Sequence, residues 1–215
     1  MRPQAIASLL DGYEHRDVVL AIMERDIEPK WLRPPPPSRP VKNHKSCQKH
    51  LSVVIRSIRD VQNNGRYMIV DDALLEQWSN VVCSPLGAVE KKYIEPAIEV
   101  RLIHGLSFPD NFSTNASFDK TSAPEIRYHY IVAIADQIED LITRYPQCVI
   151  RILKGDVKGA YRHLMVASRH VHWMAARIPE AKALLIDLSA PFGWSGSPPF
   201  YSAFGRAIMW LVEQN

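Results

Sequence analysis

The residue with the widest chemical reach in this sequence is Asp156, in the run Lys154-Gly-Asp-Val-Lys-Gly-Ala-Tyr161. It closes an apolar stretch and precedes a glycine-containing turn. A carboxylate at such a strand end projects from a rigid edge into a cleft, where a hard cation such as Mg²⁺ takes oxygen ligands. An Asp in that place is also a common turn former, so the position needs company to mean more. Further along, Ala190-Pro-Phe-Gly-Trp-Ser-Gly-Ser-Pro198 forms a Gly- and Pro-punctuated loop before a helix, a design that lets backbone approach a ligand closely. Upstream, Lys91 and Arg101 stand on two strand-like segments and are candidate partners for phosphate. His170 and His172 alternate along a predicted strand and share a side, but a metal site needs a third ligand and none has helpful spacing.

Other constellations are missing or incomplete. There is no GxxxxGK(S/T) and no GxGxxG. Gly193-Trp-Ser-Gly-Ser197 lacks the closing glycine of a nucleophile elbow, and its flanking prolines disagree with a strand-turn-helix context. Ser117-Phe-Asp-Lys120 matches SxxK in a loop without partner motifs. Cys47, Cys83 and Cys148 form no metal spacing and are odd in number, which favours a reducing, intracellular compartment over secretion.

These residues have to be positioned by a scaffold of mixed elements. An apolar-periodic helix is expected over 6–27, weakened at Gly12. The prolines from Arg33 to Pro40 favour an extended polyproline II spacer, with a docking site for a Pro-binding module as the alternative. A helix over 48–63, capped by Ser46, ends at Asn63-Asn64-Gly65. Strands are expected over 81–92 and 99–107, loop over 109–124 and the strongest amphipathic helix over 125–145. A strand over 148–157 presents Asp156, followed by a turn over 158–164. A hairpin joins 171–178 to 183–188, and a closing helix covers 197–213. Asp187 is read as a mid-strand side chain facing solvent. Helices with antiparallel hairpins argue for an α+β fold.

Composition agrees with a folded domain. The 215 residues are 47% hydrophobic and 23% charged, with a net charge of +3 that permits an acidic partner without demanding one. No apolar run reaches the ~18 residues of a membrane span.

Taken together and in order, four segments resemble the reverse transcriptases of retroelements, in the retroviral, gypsy-like and DIRS-like branches. Asp156-Val-Lys-Gly-Ala-Tyr161 is similar to the family pattern D-x-x-x-A-Y/F. Pro191-Phe-Gly-Trp-Ser-Gly-Ser-Pro198 resembles L-P-Q/F-G-x-x-x-S/A-P. Ser84-Pro-Leu-Gly-Ala-Val-Glu-Lys-Lys92 resembles S-P-x-x-x-V-x-K-K, and Arg101-Leu-Ile-His-Gly-Leu-Ser107 resembles the paired strand R-x-I/V-x-D/N-L/Y-R/S. Gly105 and Ala190 depart from these patterns.

The resemblance implies an RNA-directed DNA polymerase working by two-metal nucleotidyl transfer with two Mg²⁺ ions. Its partners would be an RNA or DNA template-primer, a dNTP and the rest of a parent polyprotein, including thumb and RNase H. Asp156 would bind metal with help from the Val157 carbonyl. Tyr161, Phe192 and Gly193 would face the nucleotide, and Lys91 and Arg101 would grip its triphosphate. Lys154, Lys158, Arg162, Trp194, Ser197 and Pro198 would meet template or primer, although the basic ones serve equally as a solvated face. The fold implied is right-hand polymerase fingers (46–124 and 167–195) with a partial palm (125–166 and 196–215), after a helical, Pro-rich lead-in (1–45). The family's Y-x-D-D is not found. Polymerase activity of these 215 residues alone is therefore expected to be negligible. A non-catalytic nucleic-acid-binding remnant and a decayed fragment are the competing readings.

Overall fold

Gly12 adopts a left-handed backbone, with φ of 82°, and splits the first apolar segment into helices α1 (Pro3–Leu9) and α2 (Arg16–Arg25). The computed structural model describes residues 3–34, 41–126, 130–152 and 155–214. Most of the expected polyproline segment, at 35–40, lies outside them, as does Lys154.

Helix α3 (Lys45–Lys49) breaks at His50 and hands over to α4 (Leu51–Asn63). His44, not Ser46, caps α3, with its ring accepting from the Ser46 amide at 3.3 Å. The Ser46 hydroxyl instead accepts from the Ala88 amide at 3.0 Å, which ties this helix to the first hairpin. That hairpin pairs β2 (Leu86–Glu90) with β3 (Val100–His104), antiparallel and in register from Leu86–His104 to Glu90–Val100. A second sheet has the order β1-β5-β4, all antiparallel, from β1 (Tyr67–Asp71), β4 (Ala175–Ile178) and β5 (Ala183–Asp187). Strand β1 had no counterpart in the expected elements. Helices α5 (Thr114–Ser117), α6 (Ile131–Arg144) and α7 (Ser197–Glu213) complete the α+β architecture.

Among the described residues, three apolar clusters hold most of these elements but not α6. The α4 residues Val53, Val54 and Ile58 pack on Leu86 and Val100 of the hairpin and Leu185 of the sheet. Each such buried aliphatic side chain contributes about 1.5–3 kcal/mol. Leu10, Tyr13 and Val19 pack on Ala203 and Ala207 of α7, where the Tyr13 hydroxyl donates to the Ala203 carbonyl at 2.7 Å. The central cluster runs through Ile27, Leu106, Phe118, Met174 and Trp194 to Phe200. The lead-in is thus part of the core: Ile27 is fully buried and bridges Val166.

One expected helix forms uncovered and one expected strand does not form. Helix α6 forms over 131–144 of the expected 125–145, yet none of its residues is buried; Ile131, Val132, Ile134 and Ile142 are exposed. The strand expected over 148–157 is absent among the described residues, and Val149, Ile152 and Val157 lie exposed. A strand exists only when another backbone takes up its amides and carbonyls, and no described strand does so here. No helix among the described residues is long and apolar enough to cross a membrane.

Candidate functional site

Tyr161 is carried on a short 3-10 turn, Ala160–His163. Its ring lies 4.9 Å from that of Phe192 and 5.7 Å from that of Tyr201, centroid to centroid. The turn, the 191–198 loop and the first half of α7 therefore converge on one aromatic wall. Asp156 is exposed on the segment leading into this turn. Its charge is felt at Tyr201: burial, then Asp156, then Tyr161 hold that hydroxyl above its ordinary pKa.

The loop is shaped by contacts that its sequence requires. Gly193 has φ of 119°, and a Cβ there would sit 1.9 Å from the His104 carbonyl oxygen. The His104 amide donates to the Phe192 carbonyl at 3.1 Å, so the loop lies directly on the end of β3. Asn115 clamps it from the other side, donating to the Gly193 carbonyl at 2.7 Å and accepting from the Ser195 amide at 2.8 Å. Trp194 and Ser197 are buried, with the Ser197 hydroxyl donating to the Pro191 carbonyl at 2.7 Å. Both fill the inside of the loop, which corrects their expected place against template or primer. Pro198 lines a cavity of about 480 Å³ with Phe118, Lys120, Ser195 and Pro199; Asp156, Tyr161 and Phe192 do not line it.

The cations fall into different situations. Lys91 pairs with Glu99 across the base of the β2-β3 connection. The hydrogen bond from Lys91 holds the Glu99 carboxyl below its usual range, and Lys158 adds to the same effect. Lys158 thus links the Asp156 segment electrostatically to the hairpin. Arg101 is exposed on β3, opposite Val89. Arg162 is not on a solvated face. It forms an ion pair with Asp187, whose side chain is 1% exposed and not, as expected, turned to solvent. Desolvation pushes the Asp187 carboxyl up to about 6, against the pull of Arg162. Sequence reasoning missed this pair because its members are distant in the chain; the only available signal was an acid in an otherwise apolar strand and a base in the turn over 158–164.

His170 and His172 do not share a strand side. His170 precedes a short 3-10 turn that contains His172, and its ring lies 3.1 Å through Nδ1 from the Trp31 indole nitrogen and 3.2 Å through Nε2 from Arg169, of which a neutral imidazole accepts only one. No group of three His, Cys, Asp or Glu side chains among the described residues is placed to hold a metal. Asp156 supplies one carboxylate. That suits a Mg²⁺ ion shared with substrate phosphates, but it does not suit two ions, which need more carboxylate oxygens.

No family model and no curated protein matches the chain. Its fold is similar to a solved structure of a foamy viral protease-reverse transcriptase in complex with double-stranded DNA. The TM-score is 0.56 at 11% identity, over 98% of this chain and 36% of that one. The chain spans only that fraction of the longer protein, and at this identity the likeness is one of fold: mixed α+β with small antiparallel sheets, as in a reverse transcriptase.

Proposed function

We propose that this chain forms the nucleotide- and template-gripping part, fingers with partial palm, of a polymerase of the reverse-transcriptase type. The observation that carries the reading is convergence. Residues from three separate segments, Asp156 with Tyr161, Phe192, and Tyr201, form one carboxylate-bearing aromatic wall beside a backbone loop. A nucleotide would present its sugar and its flat base to such a wall and its phosphates to the carboxylate side through a shared Mg²⁺. Asp156 and the Val157 carbonyl would supply oxygen ligands to that ion, Tyr161 would limit room at the ribose, and Phe192 and Gly193 would support the nucleotide. Arg101 and Lys91 reach the triphosphate, with Lys91 exchanging Glu99 for phosphate. Lys158 and Lys154 follow the phosphate backbone of an RNA or DNA template-primer.

One carboxylate does not stabilise both the attacking oxygen and the leaving pyrophosphate. The 215 residues therefore bind without extending, and catalysis belongs to a longer parent polyprotein. The same observation favours a second reading, a nucleic-acid-binding remnant that has no catalytic parent. The test is binding and extension on a primed RNA template. Duplex binding should weaken as salt rises from 50 to 200 mM, as phosphate contacts require (about tenfold or more for several contacts). Mg²⁺-dependent dNTP binding should drop in Asp156→Asn while duplex binding persists. Robust Asp156-dependent synthesis would show that a second carboxylate lies within this chain. Absence of both duplex and dNTP binding would sink the proposal and the second reading alike.

A further inference from the structure

The buried pair Arg162–Asp187 does something that packing alone does not explain. The Arg162 guanidinium donates to Asp187 Oδ1, to Ser189 Oγ at 3.1 Å and to the Tyr67 hydroxyl at 3.0 Å, and it lies 5.0 Å over the Tyr67 ring. One side chain thus fastens the Tyr161 turn to β1 and to the end of β5. The Arg66 guanidinium donates to the Arg162 carbonyl, holding the backbone of the same turn. Among the described residues, every hydrogen bond to the Asp187 carboxylate reaches one oxygen: the amide and hydroxyl of Ser189 also contact Oδ1, each at 3.3 Å, while the buried Oδ2 has no partner. A half-satisfied buried carboxylate is a poor way to gain stability, and apolar side chains of similar volume commonly do as well or better.

We propose that the Arg162–Asp187 pair is a positioning device that seats Tyr161 against Phe192 and Tyr201. Neighbouring residues of one turn face opposite ways: Arg162 roots in the sheet, and Tyr161 turns to the loop and α7. Fixing the first fixes the second. The positioning claim stands on this geometry; its consequence for nucleotide binding rests on the function proposed above.

The test installs 3-fluorotyrosine in place of Tyr161 and follows its ¹⁹F resonance in the full chain. The double variant Arg162→Met with Asp187→Leu should melt cooperatively at a temperature close to that of the native protein, yet show a displaced or doubled resonance. Arg162→Lys keeps the charge but loses the fork, and it should displace the resonance too. A native resonance in the folded double variant would overturn the inference, because the pair would then be packing only. If the double variant does not fold, Arg162→Lys decides in the same two directions. Titration with Mg²⁺-dATP separates the two claims. Affinity should fall about tenfold in the double variant if the wall is a nucleotide site. If the native resonance ignores the nucleotide while the variants still displace it, the seat stands and the nucleotide reading falls.

Discussion

At the scale of single residues, two positions separate geometry from charge. Gly193 meets both obstacles a side chain can meet, a left-handed φ and a carbonyl oxygen where its Cβ would go. Gly193→Ala must shift the loop or β3, and a cost of more than about 2 kcal/mol is expected in urea unfolding. A loss below a few tenths would mean that the loop does not rest on His104. Glu99 poses the opposite question. It occupies the ammonium of Lys91 in an exposed pair, worth about 0–1 kcal/mol. Glu99→Gln should therefore strengthen triphosphate binding by up to about fivefold, measured with Mg²⁺-dATP. Weaker binding would show that Glu99 orients the lysine instead of competing for it.

At the scale of elements, α6 and the stretch after it teach the most. The helix has its expected period, but periodicity marks an apolar stripe and not the surface that covers it. With no buried residue among its 14, α6 depends on intrinsic propensity, which is marginal at this length. Its amides should exchange with deuterium far faster than those of α4 or the first half of α7; equal protection would mean that something covers it. The expected strand over 148–157 failed for a related reason. Its composition suits a sheet, but pairing is a long-range property that a local window does not contain. Strand β1 was missed from the other side, being short and mixed in burial, and it exists through its ladder with β5. The closing helix was legible to its limits because Pro198 and the preceding glycines punctuate it locally. The motif loops were legible for the same reason. Arg162 and Asp187 were misread because only the folded chain reveals that they face each other.

At the scale of the whole molecule, His104 joins the two sheets. Its Nε2 contacts the Ala175 carbonyl on β4 at 2.9 Å, and its backbone carries the 191–198 loop. Full burial pushes the imidazole down to about 4. The unfolded chain takes up this proton below about pH 6.5, while the folded one resists until about 4. The contribution of His104 is therefore complete above about pH 6.5 and disappears as pH falls toward 4, a change on the order of 3 kcal/mol. Asp187, with its carboxyl raised to about 6, runs the other way and loses stability as pH rises through that value. The native profile is the sum of the two. His104→Gln keeps a donor toward Ala175 and should remove only the acid-side loss. Measured against the native protein between pH 7 and 4.5, the gap in melting temperature should narrow or reverse on acidification. A constant gap would place the proton elsewhere.

Cys148 is exposed, whereas Cys47 and Cys83 are buried, with burial pushing both thiols up to about 11. An alkylating dye should consequently attach at one point, a short way upstream of Asp156, without any engineered residue. A fluorophore there would report whether the segment leading into the Tyr161 turn meets a surface when duplex is added.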